Sequence, residues 1–73
     1  MIAKPSEVTP YTAYLLSEVA QEIGLPPGVL NIIHGTGPST GDAIVRHPSI
    51  KAISFTGGTQ TGAYISRTAG PMF

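Results

Sequence analysis

The sequence contains no cysteine and no tryptophan, and only 11% of its 73 residues are charged. Without cysteine there is no disulfide, no thiolate zinc site and no cysteine nucleophile. Lysine and arginine (4) balance aspartate and glutamate (4). There is therefore no basic stripe of the kind that neutralises phosphates, and nucleic acid is not an expected partner. No apolar run approaches the roughly 20 residues of a membrane span, and the start of the chain lacks the basic-then-apolar order of a secretory leader. The expectation is a cytoplasmic chain with no membrane partner. His34 and His47 have no companion acids at ligand spacing, so no metal site is expected. Charge this sparse is odd for a free-standing small protein, whose surface carries about 25–35% charged residues. A chain of this length buries only about 60% of the surface its unfolded form exposes. Both facts suit a piece of something larger.

What the sequence does have is nine glycines and seven prolines, placed as punctuation between apolar runs. Met1–Lys4 is a short apolar run ending at Lys4-Pro5 and reads as the end of a strand. Thr9-Pro10 starts a helix, with Thr9 as the cap and Pro10 in the first turn, where its missing N–H has no partner to lose. Tyr11, Leu15, Leu16, Val19, Ala20 and Ile23 recur at helical spacing, and Gly24 sits where a helix is stopped by a left-handed residue. Val29–Ile33 is nearly all apolar and β-branched, as in a strand covered on both faces. A short helix is predicted from about Ser39 to Arg46, closed by His47-Pro48. Lys51–Phe55 is the third predicted strand, and Ala63–Ala69 the last helix, stopped by Gly70-Pro71. Strands alternating with helices define an α/β chain of three βα units with a parallel sheet, a partial Rossmann-like domain.

Parallel strands send their following loops to one edge, where open α/β sheets bind ligands. Those loops are Lys4–Glu7, Gly35–Gly41 and Gly57–Gly62. In the last of them, glycines let backbone amides approach a ligand and the following helix offers unpaired N–H groups, which suits a phosphate. The same residues also suit a plain strand-to-helix turn. Ala63-Tyr64 stand where a Walker A loop requires Lys-Ser/Thr, so that motif is excluded. Gly35–Gly41 is one residue too long for the dinucleotide fingerprint. Gly37-Pro38-Ser39-Thr40-Gly41 formally matches a nucleophile elbow. However, Asp42 and His47 lie along the same short helix, whereas a triad draws its partners from other loops. A serine hydrolase is rejected. Glu18 and Glu22, one turn apart, read as a solvated face. Lys4 and Glu7 flank a breaker at the ligand edge, where a cation and a carboxylate suit ribose hydroxyls, or serve as ordinary loop charges.

Four segments together resemble the coenzyme-binding domain of the NAD(P)-dependent aldehyde dehydrogenase superfamily. They are Ala3-Lys4-Pro5-Ser6-Glu7 with Thr9-Pro10, then Gly24-Leu25-Pro26-Pro27-Gly28-Val29-Leu30-Asn31. Gly35-Thr36-Gly37-Pro38 with Gly41 follows, and last comes Ile53-Ser54-Phe55-Thr56-Gly57-Gly58-Thr59-Gln60-Thr61-Gly62. Their order and spacing are specific, and the resemblance covers essentially residues 1–73 as part of an NAD-binding domain. It implies that Lys4 and Glu7, with Ser6 between them, hold the adenosine ribose. A carboxylate there repels a 2′-phosphate, so NAD is favoured over NADP. It further implies that Gly37 and Pro38 run along the adenine side, with Asp42 on the helix face beside them. Phe55, Thr56, Gly57 and Gly58 match the turn at the pyrophosphate, and Thr59, Thr61 and Gly62 open the next helix. Many members carry Ser where this chain has Gly58; the Gly-Gly form is similar to the betaine-aldehyde and muconic-semialdehyde branches.

The family's nucleophile is a cysteine, its general base belongs to a Glu-Leu-Gly-Gly segment expected beyond Phe73, and its oxyanion asparagine is expected before Met1. The reaction implied for a whole enzyme is thiolate attack on an aldehyde, hydride transfer to NAD and hydrolysis of the thioester. No catalytic residue is assigned within the chain, which is expected to be inactive alone. Its expected partners are NAD and either the remainder of a parent enzyme or another copy of itself. The other reading is a non-catalytic structural piece with no nucleotide affinity of its own.

Overall fold

Strand β1 (Ile2–Ala3) pairs in parallel with β2 (Asn31–Ile32), with Ile2 opposite Asn31 and Ala3 opposite Ile32. The computed structural model that shows this describes all 73 residues, Met1–Phe73, in two units, Met1–Gly41 and Asp42–Phe73. Both strands are shorter than the apolar runs containing them. Asn31 N–H donates to Met1 O (2.9 Å) and Ile33 N–H to Ala3 O (3.0 Å). The Asn31 side chain adds bonds from Nδ2 to Met1 O (3.1 Å) and Gly28 O (3.0 Å). It thus ties the turn before β2 to the neighbouring strand.

Helix α1 (Tyr11–Glu22) connects the two strands. Thr9 is not its cap. Pro10 takes that position in a helical conformation and accepts the first helical bond from Tyr14 N–H (3.0 Å). Thr9 lies one residue too early and closes the preceding turn, its N–H donating to Ser6 O (3.2 Å). The other end follows the sequence. Gly24 has φ +80°, Leu25 N–H reaches Ala20 O (3.0 Å), and Gly24 N–H reaches Gln21 O (3.2 Å). This paired closure satisfies carbonyls that the helix end would otherwise leave free. Glu18 and Glu22 are exposed, as their spacing predicts.

The helix predicted over Ser39–Arg46 is two pieces. Gly37–Gly41 forms a single π-turn, with Gly41 N–H donating to Thr36 O (3.1 Å). Only then does α2 (Asp42–Arg46) begin. The wider π-turn takes up one more residue than an α-turn, which suits a loop one residue longer than the dinucleotide fingerprint. At the other end of α2, His47 Nδ1 accepts Ser49 N–H (3.1 Å) and His47 O accepts Ile50 N–H (3.1 Å). His47-Pro48 is thus the helix-ending pair its sequence suggests.

In the second unit, the expected third strand is absent. Lys51–Phe55 makes no backbone ladder, and Lys51, Ala52, Ser54 and Phe55 are exposed. Strand propensity is expressed only against a neighbour that accepts the ladder bonds, and none is present here. The α/β class stands on the β1–α1–β2 unit and the helices, while three βα units are not formed. Helix α3 (Thr59–Ala69) starts four residues before the predicted Ala63, with Gly58 extended at φ −68° and ψ 147°. A single 3₁₀ turn over Gly70–Met72 follows. Only Val45 and Ala69 are buried, and no helix is long and apolar enough to cross a membrane.

Candidate functional site

In the first unit the end of β1 and the segment after β2 come together through Lys4. Its ammonium donates to Pro5 O (2.6 Å) and to Gly35 O (3.1 Å), 31 residues along the chain. An ammonium has three N–H donors, so one remains. Gly35 is at φ +148°, and a Cβ there would overlap Thr40 Oγ1; Thr40 in turn bonds His34 O (3.3 Å). Glycine at this position is what lets the π-turn fold back on its own strand end. Gly41 faces the Lys4 stem, and a Cβ there would lie 3.5 Å from Cε.

Ser6 and Glu7 line an open groove of about 390 Å³ with Pro5, Pro10, Tyr11, His34, Gly35 and Thr36. Ser6 Oγ accepts Val8 N–H (3.2 Å), which sets the turn carrying Glu7. Glu7 is exposed and unpaired; the chain's one ion pair lies elsewhere. Gly37 and Pro38 are on the π-turn but do not line this groove. Tyr11 and His34 do line it, and sequence reasoning misses both. The period of α1 marks Tyr11 as a packing residue, and a histidine without acidic companions gives no ligand signal.

The second unit holds the other candidates. Phe55, Gly57, Gly58 and Thr59 line a groove of about 740 Å³ that runs along α3 to Ala69 and Phe73. Thr56 and Thr61 belong to the same turn and helix start but do not line it. A Cβ on Gly57 would come within 2.6 Å of Phe55 Cζ, whereas one on Gly58 would meet nothing within 4 Å. Gly62, inside the helix, lies beside the same ring, where a Cβ would be 3.8 Å from its edge. The first closed helical bond is Gly62 N–H to Gly58 O (3.0 Å). The amides of Thr59, Gln60 and Thr61 therefore have no partner within the helix, and no side chain caps them. Unpaired amides at a helix start attract an anion. The open position at Gly58 leaves backbone room for one.

Asp42 begins α2 and is already engaged. Its Oδ2 accepts Arg46 Nε (2.9 Å), its Oδ1 accepts the Tyr64 hydroxyl, and Arg46 Nη2 donates to Tyr64 Oη (2.9 Å). The Tyr64 hydroxyl and, after it, the Arg46 guanidinium hold the Asp42 carboxyl below the ordinary carboxylate range. Arg46 is raised in turn, first by Asp42 and then by Tyr64. The Asp42–Arg46 spacing of four residues is legible in the sequence as a helical pair. That Tyr64 completes it is a fact of packing.

The β1–α1–β2 unit and the helices make this an α/β segment. The model of the aldehyde dehydrogenase family matches residues 1–73. A 2-aminomuconic 6-semialdehyde dehydrogenase from a Pseudomonas species is 54% identical over 70 residues, covering 94% of this chain and 14% of that protein. The crystal structure of HpcC from Thermus thermophilus superposes with a TM-score of 0.93 at 41% identity, covering 97% of this chain and 14% of that one. A betaine aldehyde dehydrogenase from Staphylococcus aureus, solved in complex with NAD+, gives a TM-score of 0.91 at 39% identity over 97% of this chain and 14% of that one. The chain belongs to the aldehyde dehydrogenase family. It spans about one seventh of the length of the relatives it matches.

Proposed function

We propose that residues 1–73 are part of the NAD-binding domain of an aldehyde dehydrogenase that oxidises an aldehyde to a carboxylic acid in the cytoplasm. The observation that carries this reading is Lys4. Its ammonium is fixed between two carbonyl oxygens beside a groove lined by an unpaired Glu7, with one donor to spare. Such a pair suits ribose hydroxyls, the cation donating and the carboxylate accepting. Ser6 sets the turn that presents Glu7. Gly37 and Pro38 supply the backbone along the adenine side. Phe55, Thr56, Gly57, Gly58, Thr59 and Thr61 form the pyrophosphate turn, where free amides and an open Gly58 fit a phosphate. With Gly58 in place of a serine, the backbone amide alone serves that oxygen.

NAD, when bound, supplies the hydride acceptor. This chain's residues bind and orient it; the nucleophile, the general base and the aldehyde pocket belong to other parts of such an enzyme. The Glu7 carboxylate sets the choice of coenzyme, because a 2′-phosphate placed beside it meets like charge. Titration calorimetry with NAD and NADP tests this. Glu7→Gln is expected to narrow the preference for NAD by about tenfold, a difference near 1.4 kcal/mol. An unchanged ratio contradicts the assignment. The two-residue buried core favours a second reading, a structural piece with no nucleotide affinity of its own. Absence of heat with either coenzyme selects it.

A further inference from the structure

The second unit has an unusual division of labour. Its ligand turn is held from upstream by the Phe55 ring beside Gly57 and Gly62 and by little else: Lys51–Phe55 has no ladder, Gly58 is open, and no side chain caps α3. Its buried apolar anchor on α3, Ala69 at 1% exposure, is at the far end of the helix. At 1.5 Å per residue, Ala69 is about 15 Å from Thr59 along the axis, and Tyr64 about half that. One anchor at the end of a rod leaves its other end free to swing. A second anchor part-way along fixes its direction.

Tyr64 is that second anchor. The side-chain hydrogen bonds joining α2 to α3 are those of the Asp42–Arg46–Tyr64 ring, and the ring is closed. Both carboxylate oxygens are occupied, the phenol donates once and accepts once, and the guanidinium bridges the two acceptors. The planar fork of Arg46 bonds Asp42 and Tyr64 simultaneously, which fixes their separation.

We propose that Asp42, Arg46 and Tyr64 are positioning residues for the coenzyme turn: their ring fixes the axis of α3 against α2 and so aims the free amides of Thr59, Gln60 and Thr61. Asp42 then acts through Tyr64 and does not itself touch the coenzyme. The inference rests on the coenzyme reading above for what the amides receive, but the aiming is a property of the unliganded chain.

The test is a set of ¹⁵N–¹H spectra of the 73-residue chain and its Tyr64→Phe and Asp42→Asn variants, each without and with NAD. Tyr64→Phe keeps the aromatic ring and deletes only the hydroxyl. Both variants are expected to shift the amides of Gly58, Thr59, Gln60 and Thr61 in the free chain, while Cα shifts over residues 63–69 stay helical. NAD affinity is expected to fall by about threefold to tenfold. The double variant should be no weaker than the single ones, because the three groups act as one unit. Unmoved amides in the free variants overturn the proposal. So does loss of α3 helicity in both, since the ring would then hold the helix together and not aim it. Amides that move with no change in NAD affinity overturn the link to the ligand. If the unsubstituted chain takes up no NAD, the coenzyme reading fails, and the free-state shifts still decide whether the ring aims the helix start.

Discussion

Lys4 shows how one side chain joins parts of the sequence far apart in number. Its bond to Gly35 O spans 31 residues and fixes the strand end against the following loop. Lys4→Met keeps the stem and removes every donor. It is expected to weaken NAD binding about tenfold and to shift the Gly35 and Thr36 amides even without ligand; calorimetry and NMR read the two effects. Asp42 yields a pH prediction. Its carboxyl lies below the ordinary range when folded, so the stabilisation it gives is complete above the unfolded carboxylate pKa, near 3.9. It is lost as pH falls through the lower, folded value. A ¹³C titration of the Asp42 carboxyl should give a midpoint below about 3.9. Tyr64→Phe should raise that midpoint, because the Tyr64 hydrogen bond is the largest cause of the shift. An Asp42 midpoint at or above the ordinary value would show that the ring does not form.

At the scale of elements, the signals legible in the sequence are the local ones. Gly24 stops α1 because only a residue at φ +80° lets Leu25 and Gly24 close the final carbonyls, and that requirement is written in the residue itself. A Cβ on Gly24 would meet nothing within 4 Å, so Gly24→Ala incurs backbone strain alone. A loss of about 1 kcal/mol is expected, read as a lower denaturation midpoint. Asn31→Ala removes two side-chain bonds that tie the turn before β2 to Met1. It should cost about 1 kcal/mol by the same measurement. Of the expectations that fail, Thr9 as cap and Ser39–Arg46 as one helix are local errors, while the third strand depends on a partner. Lys51–Phe55 has the composition of a strand but no neighbour to ladder with. Thr59–Gly62, a loop by composition but a helix start by the family resemblance, forms the first turn of α3, where Gly62 fits beside the Phe55 ring. The candidate site is legible as turns and free amides. Tyr64 in contact with Asp42 is not, because contact across two helices is not a pattern in one dimension.

For the whole molecule, the decisive fact is how little is buried. Val45 and Ala69 are the only buried residues, while Val8, Tyr11, Leu16 and Ile23 are at least half exposed. Apolar surface left in water stabilises nothing, so the chain alone is expected to be marginally stable or to self-associate. A sedimentation series across concentration should show mass rising above the monomer; a sharp cooperative melt from a monomer would contradict this. Whether these residues carry a coenzyme site is decided by a ¹⁵N–¹H correlation spectrum of the chain recorded through a titration with NAD. Dispersed peaks are expected, with shifts confined to Lys4–Glu7, Gly35–Gly41 and Gly57–Gly62. A spectrum that stays collapsed, or dispersed peaks that ignore NAD, would be the opposite result and leave the chain a structural segment without a site of its own.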